Sequence, residues 1–132
     1  MNTFVDSSAF YAVLDADDQN HDRARFAWLD LLRGDVNLIC TNYVLVETFA
    51  LVQHRLGLEA VRTFQTESLP VIQVEWIDES QHQAGIAAPL TASRRQLSLV
   101  DCVSFEVMRR LGLTVAFPLD SHFTEQGFKG IP

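Results

Sequence analysis

Asp6, Glu47, Asp101 and Asp120 are the residues whose type and setting could do chemistry in this chain. Asp6 ends Thr3-Phe4-Val5, a run with the β-leaning composition of a strand, and Ser7 and Ser8 follow it. Asp120 ends the stretch VAFPLD in the same manner. Asp101 stands three residues after Ser98, the spacing of a capping box with Asp in place of Glu or Gln. Glu47 is the sole charge in VLVETFALV, and an acid with apolar residues on both sides needs a partner. His54, two turns on, is the candidate partner within its own helix. Taken singly, each aspartate also reads as a helix cap or a first-turn residue favoured by the helix dipole. Taken together at one place, carboxylates repel each other and require positive charge between them. A hard, oxygen-seeking cation fits, Mg²⁺ or Mn²⁺.

Whether the acids meet depends on the elements that carry them. Strands are expected at Thr3–Val5, Val36–Cys40, Val71–Ile77 and Thr114–Phe117. The third sets Val71, Gln73 and Glu75 against Ile72, Val74 and Trp76, the alternation of a half-buried strand. Helices are expected at Ser8–Leu14, at Asn20–Leu32 ended by Gly34, and at Asn42–Leu56 between a Thr41 or Asn42 cap and Gly57. Further helices follow at Leu58–Glu67, closed by Pro70, at Glu79–Ala92 with a break near Pro89, at Ser98–Leu111 ended by Gly112, and from Ser121. Strands separated by helices point to a parallel sheet with right-handed crossovers, hence an α/β fold: a three-layer α/β/α sandwich with a small parallel sheet. Ligands of such sheets bind beyond the C-terminal strand ends, which Asp6 and Asp120 leave. Leu45, Phe49, Val52 and Leu56 form the apolar stripe of the third helix, and Glu47 sits about 200° round the axis from Leu45. Val100, Val103, Val107, Met108 and Leu111 form the stripe of the later helix, with Asp101 in its first turn.

Size and composition bound the function. A length of 132 residues suits one domain spanning 1–132, and 48% hydrophobic with 20% charged residues is ordinary for a globular protein. No apolar run approaches a membrane span, and the N-terminus lacks a basic region and cleavage site, so a cytoplasmic protein is expected. Cys40 and Cys102 lie in apolar surroundings without zinc-type spacing and read as buried thiols rather than a disulfide. The net charge is −7, with nine arginines and the single lysine Lys129. Such a surface excludes a non-specific nucleic-acid coating protein, but not a nuclease whose acids a metal neutralises, and it suits a basic partner.

The stretches FVDSSAFYAVLD, TNYVLVETFALVQHRLG, LSLVDCVSFEVMRRLG and AFPLDSHFTEQGF resemble, in order and spacing, the PIN domain, in particular the single-domain ribonuclease toxins of VapC type. The resemblance covers nearly the whole chain. It implies metal-dependent endonucleolytic cleavage of RNA, a cognate antitoxin and frequent homodimerisation, with Asp6, Glu47, Asp101 and Asp120 as the acidic site. Asp6 and Asp101 are then expected to hold a first metal, joined by Asp120 directly or through water. Glu47 is expected to orient or deprotonate the attacking water, or to help hold a second metal. The chain departs from the family pattern at Phe117-Pro118, where a small or hydroxyl residue is commoner and Asp120 could be displaced, and at Pro89, in a helix usually unbroken.

Other features are less specific. Arg94 and Arg95, just upstream of the Asp101 helix, are candidate phosphate contacts, whereas Arg109 and Arg110 suit its C-terminal dipole. Ser7 and Ser121 are either water-positioning hydroxyls or helix caps. The stretch DADDQNHD reads as a solvated turn, and His21, His54, His82 and His122 show no metal-ligand spacing. Trp28, with Phe26 and Leu29–Leu32, reads as packing for the domain or a partner. A haloacid-dehalogenase-like phosphatase would need a second Asp two residues after Asp6, and a receiver domain an acidic pair and a late lysine; the chain has neither. A PIN-like module that only binds a partner is the alternative from the binding class.

Overall fold

A computed structural model describes the backbone of residues 1–92 and 97–132, and the side chains of those residues outside 88–92. Arg94 and Arg95 lie outside the described residues. The chain alternates β1 (Asn2–Val5), α1 (Ser7–Leu14), α2 (His21–Arg33), β2 (Asn37–Thr41), α3 (Asn42–Leu56), α4 (Leu58–Thr63), β3 (Ile72–Glu75), α5 (Glu79–Ala92), α6 (Leu99–Leu111), β4 (Val115–Phe117), α7 (His122–Glu125) and β5 (Lys129–Gly130). The strands form one sheet in the order β3-β2-β1-β4-β5, with every pairing parallel. Right-handed crossovers then place α1 to α4 on one face and α5 and α6 on the other, the three layers expected. Parallel sheets are covered on both faces, which is why the central strand is so apolar: Thr3, Phe4 and Val5 are fully buried. Phe4, Phe10, Phe64, Phe117 and Phe123 are the largest fully buried side chains of a single continuous core.

β1 is the pivot. The chain winds outward from it through β2 to β3, then returns to lay β4 on its other side, so the strand order reverses between β1 and β4. The register pairs Val5 with Phe117, and the Asp6 N–H donates to the Phe117 carbonyl at 3.1 Å, carrying the pairing one residue past the strand. Phe117-Pro118 therefore does not pull the chain away from β1.

Several expectations change. The helix expected over Leu58–Glu67 widens after Thr63 into a π-helical turn, Phe64–Ser68, and then tightens into a 3-10 turn, Leu69–Val71, with Phe64 wholly in the core. α5 continues to Ala92 with no break at Pro89. A proline removes one backbone hydrogen bond, and α5 lies along α6 so closely that a Cβ on Gly85 would stand 2.4 Å from Val103 Cγ2. β5 pairs with β4 although its two residues are too short for an alternation to betray it. Trp76 falls beyond β3 and is exposed. Cys40 and Cys102 are free and buried, as expected. Among the described residues no helix is long and apolar enough to cross a membrane.

Candidate functional site

The crevice at the strand-order reversal is built from three short connections. Asp6 leaves β1 and caps α1: its Oδ2 accepts from the Ser8 N–H at 3.3 Å and from the Ser8 hydroxyl at 2.6 Å. That hydroxyl in turn accepts the Leu119 N–H at 2.9 Å, tying the β4–α7 loop to the first turn of α1. The loop carries Asp120, whose Oδ1 accepts the His122 N–H at 3.0 Å. Asp101 closes the capping box of α6, in which its Oδ2 accepts the Ser98 N–H at 3.3 Å and the Ser98 hydroxyl accepts the Asp101 N–H at 3.1 Å.

These contacts grade the acids by depth. Asp6 is 2% exposed, and the side chains of Asp101 and Asp120 are 13% and 38% exposed. Burial lifts the Asp6 carboxyl from 3.8 to about 7, against the pull of the Ser8 hydroxyl and with help from the Asp120 and Asp101 charges. Asp6, Asp101 and Asp120 are thus brought within electrostatic reach of one another. Asp6 Oδ1 is buried without a hydrogen-bond partner.

Glu47 is tied to this end of the sheet through Ser7, the residue after Asp6. It lies in the second turn of α3, half-buried, and its Oε1 accepts the Ser7 hydroxyl. The partner anticipated for it, His54, is exposed, and Ser7 takes that place, 40 residues away in sequence. Of the two hydroxyls left open as water-positioning or capping, Ser7 does not cap α1, whose cap is Asp6, and donates to Glu47, and Ser121 donates to Glu125 at 2.8 Å. His122 was missed by spacing. Its Nδ1 lies 3.4 Å from Asp101 Oδ2 and 3.8 Å from Asp120 Oδ1 without making a hydrogen bond to either, so it pairs with them only when protonated. Its place two residues after Asp120, in the same turn, was the available signal. The other basic residues at the end of α6 are engaged elsewhere: Arg110 pairs with Glu75 at 3.0 Å, and Arg109 donates to Gln126 and lies over the Phe128 ring.

The donors suit a hard cation. Three carboxylates converge, and the innermost holds an oxygen buried with nothing to bind. Among the described residues no three Asp, Glu, His or Cys side chains stand in a metal-holding arrangement, and Asp101 and Asp120 each accept a backbone N–H.

Residues 3–129 match the family model of the PIN domain. The chain is 31% identical over 126 residues, covering 95% of it and 94% of the relative, to the 23S rRNA-specific endonuclease VapC20 from two strains of Mycobacterium tuberculosis. Its fold superposes on the crystal structure of Mycobacterium tuberculosis VapC20, a sarcin–ricin loop cleaving toxin, with a TM-score of 0.85 and 29% identity over 96% of this chain and 95% of that one. It also superposes on FitAcB from Neisseria gonorrhoeae with a TM-score of 0.68 over 100% of this chain and 97% of that one, a likeness of fold alone at 17% identity.

Proposed function

The chain belongs to the PIN domain family, and from that premise we propose that it is an endoribonuclease, aided by Mg²⁺ or Mn²⁺, that acts as the toxin of a toxin–antitoxin pair. The observation that supports the reading is that the charges of Asp101 and Asp120 act on the buried Asp6 at the strand-order reversal, where Asp6 Oδ1 has no partner. These three side chains would hold the cation, Asp101 and Asp120 giving up their backbone caps to do so. When bound, the cation lowers the pKa of water and offsets the charge that builds on the phosphodiester in the transition state. Glu47, steadied by Ser7, orients the attacking water or takes its proton. Arg94 and Arg95 contact flanking phosphates. The 23S rRNA on which VapC20 acts is the first substrate to offer.

A cytoplasmic toxin needs restraint, and a cognate antitoxin and a homodimer are the proposed partners. α2 presents Phe26, 75% exposed, beside a groove of about 590 Å³ that also takes in Leu31 and Ile131, where an apolar antitoxin helix would lie. A basic tail of that antitoxin would pair with the acids.

EDTA should abolish cleavage and Mg²⁺ or Mn²⁺ restore it, while Asp101→Asn lowers the rate at least about 100-fold. Undiminished cleavage by that variant ends the proposal. The bound caps of Asp101 and Asp120 favour one alternative, a PIN-like module that only binds a partner; no RNA cleavage in either metal, with an antitoxin still bound, would establish it.

A further inference from the structure

Next to the acids runs a groove of about 500 Å³ lined, among the described residues, by Tyr43, Val46, Glu47, His82, Leu99 and Val100. Three helices build it. α3 supplies Tyr43, Val46 and Glu47; α5 supplies His82; and α6 supplies Leu99 and Val100, the two residues before Asp101. The Tyr43 hydroxyl and His82 Nδ1 are hydrogen bonded, and the two rings meet edge to face with centroids 5.7 Å apart. Val46 stands 68% exposed on the rim.

We propose that this groove receives an unpaired nucleobase of the RNA, the one flanking the phosphodiester presented to the acids; the inference rests on the nuclease reading above. Among the described residues its lining suits a base better than a phosphate, since the walls are mostly apolar and the charge they carry is the Glu47 carboxylate. A base meets these conditions: it is flat, largely apolar on its faces, and stacks on aromatic rings whatever its identity. Position selects the same occupant. Glu47 belongs to the groove and, through Ser7, to the residue next to Asp6, while Leu99 and Val100 share a helical turn with Asp101. A base joined through its sugar to a phosphate held by the acids lies beside that phosphate, where the groove is. The Tyr43–His82 pair supplies polar atoms that a base edge can meet. A base stacked in a duplex cannot enter, so the groove selects single-stranded or looped RNA.

The test uses short single-stranded oligoribonucleotides carrying 2-aminopurine at one position at a time, titrated with the whole chain in Ca²⁺, which occupies oxygen-ligand sites. Fluorescence should be quenched at one position beside the cut and not at the others. Val46→Trp, at an exposed site that leaves the core untouched, should fill the groove and weaken binding about tenfold, and an abasic nucleotide at the quenched position should remove that difference. His82→Leu should reduce the quench at the same position. Quenching that is absent or equal at every position overturns the proposal, as does wild-type affinity in Val46→Trp. Loss of antitoxin binding by Val46→Trp with an unchanged RNA response assigns the groove to a protein and also overturns it. Position-specific quenching without cleavage in either Mg²⁺ or Mn²⁺ leaves the groove standing and removes the nuclease reading; cleavage without position-specific quenching does the reverse.

Discussion

A carboxyl held at about 7 inside a folded chain opposes the folding that buries it. In the unfolded chain Asp6 ionises near 3.8, while in the fold it keeps its proton to about 7, so between those values the native state binds more protons and stability falls as pH rises. Burial is the largest cause, and the ceiling on the loss is about 4 kcal/mol. In EDTA, urea melts of the wild type should therefore weaken from pH 4 to pH 8, and Asp6→Asn should remove most of that slope, matching wild type at pH 4 and exceeding it at pH 8 by on the order of 2 kcal/mol. Parallel slopes for the two proteins would show that Asp6 is not the group opposing folding. At this scale the sequence was legible where chemistry follows from a residue's own neighbours. Asp6, Asp101 and Asp120 each follow a recognisable strand end or cap; Asp6 and Asp101 do cap helices, and Asp120 closes a turn onto the His122 N–H. Ser7 and His122 were not legible in their roles, because the one finds Glu47 across 40 residues and the other meets Asp101 only after α6 and α7 have packed.

Between elements, the Ser8 hydroxyl is the joint: it donates to Asp6 Oδ2 and accepts the Leu119 N–H, so one side chain fixes both the acid leaving β1 and the loop delivering Asp120. Ser8→Ala leaves the Leu119 N–H and Asp6 Oδ2 each short of a partner. It should cost about 1–3 kcal/mol in metal-free melts and weaken Mn²⁺ binding about 10-fold by calorimetry, because second-layer contacts aim first-layer ligands. Unchanged Mn²⁺ affinity alongside the stability loss would reduce Ser8 to a cap. Element boundaries were mostly readable, since Gly57 and Gly112 punctuate the chain where propensity alone would run on, whereas Pro70, expected to close a helix, lies inside the 3-10 turn that continues it. The misses were tertiary. The π-helical turn at Phe64 answers to the aromatic cluster with Phe10 and Phe49, and β5 exists only because β4 offers an edge.

Over the whole molecule, strand order decides what the acids can do, and strand order is what sequence periodicity leaves open. Alternating strands and helices specify a parallel sheet, but they do not say that β4 returns to the flank of β1 rather than extending from β3. The return sets Asp6 and Asp120 at adjacent strand ends, with Asp101 arriving on the last helix of the crossover. It also gathers negative charge in a chain already at −7, which must meet a polyanion. Basic nucleic-acid-binding proteins gain affinity by displacing condensed monovalent ions, so their binding weakens steeply with salt. Here Arg55 lies over Tyr11, Arg62 pairs with Glu59 and Arg110 with Glu75, and the arginines that remain are outnumbered by acids in a chain of net charge −7, so no broad basic surface gathers such ions for displacement. The attraction must come through the divalent cation instead. Anisotropy of a single-stranded RNA in Ca²⁺ should then give a plot of log affinity against log KCl with a shallow slope, no steeper than about −2. Removing Ca²⁺ should abolish binding at every KCl concentration. A slope near −5, or binding that survives EDTA, would mean that a basic surface rather than the acidic crevice holds the RNA.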